Sequence, residues 1–252
     1  MLIYGHRGAK GVAMENSLQG FQLAASQGIE YFELDVRLSS DNHLVVVHDE
    51  QLKRLANSKL RVSKSTQQIL SNTHLKGTNQ GIPTLEQVVL ACPYVKHWQF
   101  EIKTDRTNLN FVAPMLALID KHNLADKVTI TSKHVGILRA FKNARSTIPR
   151  GYVQEWPLPH GLHVAKQLKC SMLVLNKSLA RKSYVKRAQK KGLHVSVWTV
   201  NDADDMARLF RVQADSIISD YPQAAREVIG HLSHDPNAPQ APQSVSALQK
   251  TQ

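Results

Sequence analysis

Residues 5–49 read GHRGAKGVAMENSLQGFQLAASQGIEYFELDVRLSSDNHLVVVHD. In this stretch polar side chains stand at the ends of short apolar runs. His6 and Arg7 follow the first run, Glu33 and Asp35 lie towards the end of the second, and His48 follows the third. Short apolar runs bounded by glycine and polar residues are typical of buried β-strands. The stretch therefore predicts both the start of a sheet and the edge of that sheet where the chemistry takes place.

The rest of the chain alternates between short apolar runs and amphipathic segments. Strands are predicted at residues 2–5, 29–38, 44–47, 98–102, 128–131, 147–153, 172–175, 193–200 and 216–218. Helical segments separate most of these runs, and parallel neighbours in a sheet require such crossovers. We therefore predict the α/β class and a (β/α)8 TIM barrel with a closed parallel sheet, for which 252 residues is a common length. An open doubly wound sheet is the alternative, although no dinucleotide fingerprint or phosphate loop follows any strand.

Two segments depart from this alternation. Residues 51–80, after the second strand region, are basic and rich in Ser, Thr and Asn, and they are long for a loop inside a compact domain. We expect a small lid-like insertion over the barrel mouth, facing phosphate or a membrane; the alternative is a solvated surface segment. Residues 231–252 are rich in Pro, Gln, Ala and Ser without periodicity, which predicts a disordered tail after a barrel domain at residues 1–230.

The chain carries a formal net charge of +12. This charge favours a phosphorylated small molecule, a nucleic acid or an anionic lipid surface as partner, or it only keeps the protein soluble. Cys92 and Cys170 lie far apart without metal-site spacing, so we expect two reduced thiols. The first strand leaves no room for a signal peptide, and no apolar run approaches the ~18 residues of a membrane span. These features predict a cytoplasmic protein without stable membrane insertion.

Three carboxylates are expected to converge at the C-terminal ends of two strands. Because side chains alternate along a strand, Glu33 and Asp35 share a face, as do Glu101 and Lys103. Active sites of barrels lie at that end of the strands, and converging carboxylates there suit a hard divalent cation, Mg²⁺ or Ca²⁺. The alternative is that the three acids only form ion pairs, with Arg7, Lys103 and Arg37.

Two histidines at strand ends indicate acid–base chemistry. Imidazole titrates near neutral pH, so His6 and His48 are suited to remove one proton and donate another. Arg7 can grip phosphate oxygens with its planar fork, and Gly8 allows the backbone to approach a ligand closely.

Other polar and aromatic residues are open to two interpretations. Asn16 is expected to cap a helix at residues 18–26, and Asn201 and Asp220 are expected to be helix caps first and ligand contacts second. Trp198, near the end of a strand, is either an aromatic wall against a substrate or a core residue.

Taken together, these motifs resemble the glycerophosphodiester phosphodiesterase family. The resemblance covers residues 1–230, and the motifs occur in the family's order: HRG at 6–8, ENS at 15–17, ELDV at 33–36, VHD at 47–49, IPTL at 82–85, EIK at 101–103, WTVN at 198–201 and ISDYP at 218–222. The resemblance implies a (β/α)8 barrel that hydrolyses glycerophosphodiesters to glycerol 3-phosphate and an alcohol. It also implies roles for particular residues: metal ligands at Glu33, Asp35 and Glu101, an acid–base pair at His6 and His48, and phosphate-binding groups at Arg7 and Lys103.

Two other functions remain as alternatives. A lysophospholipase D could use the same barrel on lysophospholipids at a membrane surface, with the basic insertion facing the lipid. A phosphate- or nucleic-acid-binding protein could use the positive charge without catalysis. Three converging carboxylates do not suit nucleic-acid binding, which depends on basic side chains. We therefore expect a small-molecule substrate and no nucleic-acid partner.

Overall fold

Eight parallel strands close into a barrel in the computed structural model, which describes residues 1–104, 109–144, 147–158 and 160–234. The barrel strands are β1 (Leu2–His6), β2 (Tyr31–Leu38), β4 (His97–Ile102), β5 (Val128–Ser132), β6 (Arg150–Gln154), β7 (Met172–Asn176), β8 (His194–Trp198) and β9 (Ser216–Ser219). Their order around the sheet is β1-β9-β8-β7-β6-β5-β4-β2, and the pairing of β1 with β2 closes it. A short strand, β3 (Leu44–Val46), pairs with β2 in antiparallel orientation. The predicted (β/α)8 barrel is confirmed.

Helices cover the outside of the barrel. They are α1 (Leu18–Ser26), α2 (Lys53–Ala56), α3 (Gln67–Ser71), α4 (Leu85–Ala91), α5 (Val112–Lys121), α6 (Val135–Asn143), α7 (Gly161–Gln167), α8 (Lys182–Gln189), α9 (Ala203–Arg211) and α10 (Pro222–His234). Apart from α2 and α3, which belong to residues 51–80, these helices pack their apolar faces on the outward-facing residues of the strands in two large clusters, one around β2, β4 and β5 and the other around β7, β8 and β9. This packing fixes the strand ends on which the polar side chains stand.

The register of three adjacent strands decides where these polar groups meet. His6 of β1 lies beside Glu33 of β2, and Asp35 of β2 lies beside Glu101 of β4. Because these strands are parallel, their C-terminal ends share one edge of the barrel. The most distant members of this group, His6 and Glu101, are 95 positions apart in the sequence, and the pairing of the strands brings them together at the barrel mouth.

Residues 51–80 form a small packed unit rather than an open loop. They contain α2, α3 and a short 3₁₀ turn at Val62–Lys64. Apolar residues from this unit pack with β3 and with Ile82 in a separate core, whose buried members are Val45, Val47, Leu52, Leu55, Val62, Leu70, Leu75 and Ile82. The segment is thus anchored beside the barrel mouth through its own apolar contacts.

The last helix extends four residues beyond the predicted barrel boundary at residue 230. Helix α10 ends at His234, and Leu232 in its last turn packs on the second core cluster. The remainder of the predicted tail, residues 235–252, lies outside the described residues. Both Cys92 and Cys170 are free thiols. None of the helices in the described ranges is long and apolar enough to cross a membrane.

The lower part of the barrel interior contains a buried histidine. The ring nitrogens of His97 lie 2.9 Å from the Tyr4 hydroxyl and 3.1 Å from the Thr129 hydroxyl. Burial, with a smaller contribution from nearby His194, lowers the pKa of His97 to about 3. Because this pKa lies below that of an unfolded histidine, about 6.5, the unfolded chain binds a proton at mildly acidic pH that the folded protein does not. The stability that this neutral imidazole contributes is present above about pH 6.5 and decreases as pH falls.

We predict that His97→Asn makes stability less sensitive to acid. Between about pH 6 and pH 4, the free energy of unfolding of the wild type should fall by about 1.4 kcal/mol per pH unit more than that of the variant. Urea denaturation across this range measures both slopes, with His231→Asn, which removes an exposed histidine, as the control. Parallel slopes for the wild type and His97→Asn would show that His97 is protonated in the folded protein.

Candidate active site

Three carboxylates converge at the ends of β2 and β4. One oxygen atom from each of Glu33, Asp35 and Glu101 lies within 4.8 Å of the others. Burial, together with the charges of Asp35 and Glu101, raises the pKa of Glu33 well above its usual range. Burial also opposes ionisation of Asp35, but the charges of Arg7 and Lys103 outweigh it and lower the pKa of that carboxyl. A concentration of negative charge at this depth is unfavourable unless cations neutralise it.

The carboxylates have cationic partners within the chain. The Lys103 ammonium lies 2.6 Å from Glu101 and 3.3 Å from Asp35, and Arg7 Nε lies 2.9 Å from Asp35. Arg37 forms no ion pair with the three acids among the described residues, where its guanidinium binds Glu50 and the His48 carbonyl. In this part of the chain the ion-pair interpretation of the cluster therefore holds for Arg7 and Lys103 and not for Arg37.

The donor set also fits a divalent cation. All three side chains offer oxygen, which Mg²⁺ and Ca²⁺ prefer, and the chain supplies them from two rigid strands. Among the described residues, the fully buried Asp35 Oδ1 has no hydrogen-bond partner and forms one ion pair, with Lys103 at 3.3 Å. An oxygen in that environment is available to a metal ion.

His6 is held in place by an aspartate from the other end of the chain. Its Nδ1 lies 2.5 Å from Asp220 Oδ1, and its Nε2 lies 3.8 Å from Glu33. Asn201 donates to the second oxygen of Asp220, while its own carbonyl oxygen accepts from the Asp220 backbone N–H. Although burial opposes it, the contact with His6 lowers the pKa of Asp220 to about 2. A carboxylate at Nδ1 fixes the orientation of the ring and leaves Nε2 for the site.

Neither Asn201 nor Asp220 occupies a helix-capping position, contrary to the expectation from sequence: Asp220 lies two residues before α10, which begins at Pro222. Helix α9 begins with Asp202 as its cap, and that side chain accepts from the backbone of Asp204 and Asp205. Asn201 and Asp220 are instead bonded to each other behind His6.

His48 has the same arrangement on the other side of the site. Its Nδ1 lies 2.7 Å from Asp49 Oδ1, and the second Asp49 oxygen accepts from Arg54 Nε at 2.7 Å. Burial and the charges of Arg7 and Lys103 lower the pKa of His48, which favours the neutral ring at pH 7. Each histidine thus has one nitrogen engaged by an aspartate.

Arg7 occupies a strained position that its neighbours stabilise. Its backbone is in the left-handed region at φ 51°, and Gly8 follows at φ +90°. A Cβ on Gly8 would lie 3.0 Å from the backbone of Gly20 and of Phe21, so the turn requires glycine there. The Arg7 guanidinium binds Glu15 at 2.7 Å in addition to Asp35.

These groups line one cleft of about 250 Å³ at the barrel mouth. Seven of the eight residues predicted from the sequence as catalytic, metal-binding or substrate-binding lie on its surface: His6, Arg7, Glu33, His48, Glu101, Lys103 and Trp198. The eighth, Asp35, is fully buried behind them. Trp198 packs on the cluster of Tyr4, Val153, Met172, Val174 and Ile218 while its side chain borders the cleft, so it is both a packing residue and a wall.

Comparison with known proteins identifies the family. The model of the glycerophosphoryl diester phosphodiesterase family matches residues 6–224. This chain belongs to that family. The matched range contains all of the residues that line the cleft, and the resemblance seen in the sequence is confirmed.

Relatives of this family member cover nearly its whole length. A glycerophosphodiester phosphodiesterase of Caldanaerobacter subterraneus is 26% identical over 88% of this chain and 95% of the relative. The solved structure of an Oleispira antarctica phosphodiesterase, in complex with the product sn-glycerol-3-phosphate, is 25% identical with a TM-score of 0.85, covering 91% of this chain and 97% of that one. A human lysophospholipase D is 22% identical over 90% of this chain and 86% of the relative.

Three residues of this phosphodiesterase family member support the site in a way that was not predicted from the sequence. Glu15 binds Arg7, Asn16 binds Asp35, and Arg54 binds both Glu15 and Asp49. Asn16 was expected to cap α1, but Ser17 caps it by accepting from the Gly20 N–H. The sequence could have indicated this role of Asn16, because Asn16 directly precedes Ser17. Since Ser17 caps the helix, the Asn16 side chain is not needed as a cap and can turn inwards.

We predict that Asn16→Ala destabilises the fold more than its backbone conformation alone explains. Asn16 is buried at φ 56° and donates to the Asp35 carboxylate at 2.9 Å. Loss of this bond and of a residue suited to the left-handed region should together lower the free energy of unfolding by about 3 kcal/mol. Asn57→Ala, at φ 51° on the surface, is the matched control and should cost about 1 kcal/mol in urea denaturation. Equal losses at the two positions would contradict a role for the Asn16–Asp35 bond.

Proposed function

We propose that this protein hydrolyses glycerophosphodiesters to glycerol 3-phosphate and an alcohol, with a divalent cation and two histidines. The observation that carries the proposal is the single cleft in which two imidazoles, converging carboxylates and two cationic side chains face the same space. Family membership supports the substrate class, because the named relatives include glycerophosphodiester phosphodiesterases and one structure with bound sn-glycerol-3-phosphate.

We assign Glu33, Asp35 and Glu101 as the residues that would hold Mg²⁺ or Ca²⁺. Such a cation supplies positive charge to the non-bridging phosphate oxygens, where negative charge increases in the transition state. The three carboxylates orient towards one point because β2 and β4 are adjacent and in register.

Arg7 and Lys103 are proposed to bind the phosphate. Arginine has five N–H donors in a fixed fork, and Glu15 and Asp35 use only part of that capacity in Arg7. Lys103 borders the cleft with an ammonium group whose pKa is raised, since Glu101 and Asp35 outweigh the effect of burial, so it stays charged. Both side chains are held by carboxylates before substrate arrives, which lowers the cost of ordering them.

His6 and His48 are proposed as the acid–base pair. Each has its Nδ1 against an aspartate, so that Nε2 is the atom available to the substrate. One ring removes a proton from the nucleophile, water or the substrate's own glycerol hydroxyl, as the new P–O bond forms; attack by that hydroxyl gives a cyclic phosphate, which water then opens to glycerol 3-phosphate. The other ring donates a proton to the departing alkoxide as the old P–O bond breaks.

A lysophospholipase D activity is the second candidate. The loop after β6 exposes two large apolar side chains, Trp156 and Leu158, beside Glu155, which lines the cleft. Apolar groups at that position could contact an acyl chain, and a human relative is named a lysophospholipase D. Comparison of turnover on glycerophosphocholine with turnover on lysophosphatidylcholine separates the two candidates, and we expect the deacylated substrate to be preferred.

We predict that the protein releases glycerol 3-phosphate from glycerophosphocholine or glycerophosphoethanolamine in the presence of Mg²⁺ or Ca²⁺. EDTA should abolish turnover, and His6→Ala and His48→Ala should each reduce kcat by at least about a hundredfold, the usual contribution of acid–base catalysis. A coupled assay for glycerol 3-phosphate measures the product. Near wild-type turnover in His48→Ala would exclude that residue from the pair.

We further predict that Glu101→Gln weakens cation binding. Isothermal titration calorimetry with Mg²⁺ and Ca²⁺ should show at least about a tenfold rise in Kd, because one of three oxygen ligands loses its charge. Glu101 is chosen because, unlike Asp35, it is not fully buried. Asp126→Asn, at an exposed position away from the cleft, is the matched control and should bind like the wild type. An unchanged Kd in Glu101→Gln would place the cation elsewhere.

A further inference from the structure

The insertion at residues 51–80 contributes a side chain, Arg54, that contacts two separate loops beside the cleft. Arg54, in α2, donates from Nε to Asp49 at 2.7 Å and from both terminal nitrogens to Glu15 at 2.8 Å each. The guanidinium therefore bridges two carboxylates that belong to different loops, one after β1 and the other after β3.

Each of those carboxylates holds a residue of the proposed site with its other contacts. Asp49 binds Arg54 with one oxygen and His48 Nδ1 with the other. Glu15 binds Arg54 and, through Oε1, also the Arg7 guanidinium. His48 and Arg7 are thus each two hydrogen bonds away from the same guanidinium.

The position of Arg54 is itself fixed by packing. Leu52 and Leu55, on either side of it, are buried in the core of the insertion. The backbone of this turn is bonded to the rest of the insertion, from Leu52 N–H to Leu60 and from Lys76 N–H to the Leu55 carbonyl. The planar fork of arginine suits this geometry, whereas a lysine ammonium cannot give two parallel bonds to one carboxylate and a third to another.

We infer that Arg54 is a positioning residue: it orients the imidazole of His48 through Asp49 and the guanidinium of Arg7 through Glu15. The inference rests on the proposed function and deepens it, because it gives the insertion a part in catalysis although Arg54 does not line the cleft. The burial of Glu15 and its low pKa, held down against burial by Arg54 and Arg7, agree with a charged network at this point.

Steady-state kinetics on glycerophosphocholine with saturating cation test the inference. A displacement of a catalytic group by about 1 Å can reduce rates up to about a hundredfold, so Arg54→Ala should lower kcat by about ten- to a hundredfold and raise KM. Lys53→Ala, which removes an exposed positive charge from the same helix, is the control and should leave both parameters within about twofold of the wild type. Thermal unfolding of each variant shows whether it is folded at the assay temperature.

The two connections can be separated. Asp49→Asn should mainly lower kcat, because it affects the histidine, and Glu15→Gln should mainly raise KM, because it affects the phosphate-binding arginine. The double variant Arg54→Ala/Asp49→Asn should have a kcat close to that of the less active single variant. Both changes interrupt the same connection, which runs from Arg54 through Asp49 to His48. Addition of guanidinium ion at millimolar concentration, below its denaturing range, should restore part of the Arg54→Ala activity, an effect that a general loss of stability would not show.

Several results would overturn the inference. These are a kcat and KM of Arg54→Ala within twofold of those of Lys53→Ala, a double variant whose loss in kcat is the product of the two single losses, or no recovery of Arg54→Ala activity with guanidinium. If Arg54→Ala does not fold, Arg54→Lys takes its place. For this variant we expect a smaller fall in kcat and a smaller rise in KM than those predicted for Arg54→Ala. Wild-type values of both parameters would overturn the inference. Failure of the inference can be distinguished from failure of the proposed function. An inactive wild type refutes the proposed function, whereas an active wild type whose kinetics do not depend on Arg54 refutes only the inference.

Discussion

The repulsion among Glu33, Asp35 and Glu101 is the constraint on which the rest of the mouth depends. The register of β2 and β4 places these carboxylates together at depth, where their charges are poorly solvated. Arg7 and Lys103 neutralise part of that charge within the chain. The same negative potential attracts a divalent cation, so the feature that is costly for folding is also the feature that would recruit the cofactor.

A second layer of charged groups, behind the residues that line the cleft, holds those residues in position. Asp220 lies behind His6, Asp49 behind His48, and Glu15 behind Arg7. Without these partners the imidazoles would be free to rotate and to exchange tautomers, and their reactive nitrogens would not be defined. The layer draws on the loops after β1, β3 and β9 and on the insertion, so closure of the barrel and docking of the insertion both contribute to the geometry of the cleft.

The features that could be predicted from sequence are those set by local periodicity. The alternation of side chains along β2 places Glu33 and Asp35 on one face, and the apolar runs locate the barrel strands. The Asp220–His6 contact could not be predicted in this way, because it joins residues 214 positions apart and exists only once β9 pairs with β1. Similarly, the insertion lacks a regular apolar period because its small core is built from scattered residues such as Leu52 and Leu70. Leu232, in the last turn of α10, packs on the second core cluster, a tertiary contact that composition alone does not reveal.

The most direct test of this account is anomalous diffraction from crystals grown with Mn²⁺ and sn-glycerol 3-phosphate. The account predicts one strong anomalous peak about 2.0–2.6 Å from oxygens of Glu33, Asp35 and Glu101, with the phosphate in the same cleft and in contact with Arg7 or Lys103. A phosphate bound at another surface, or a metal ion held by other residues while these three carboxylates keep only their ion pairs, would contradict it.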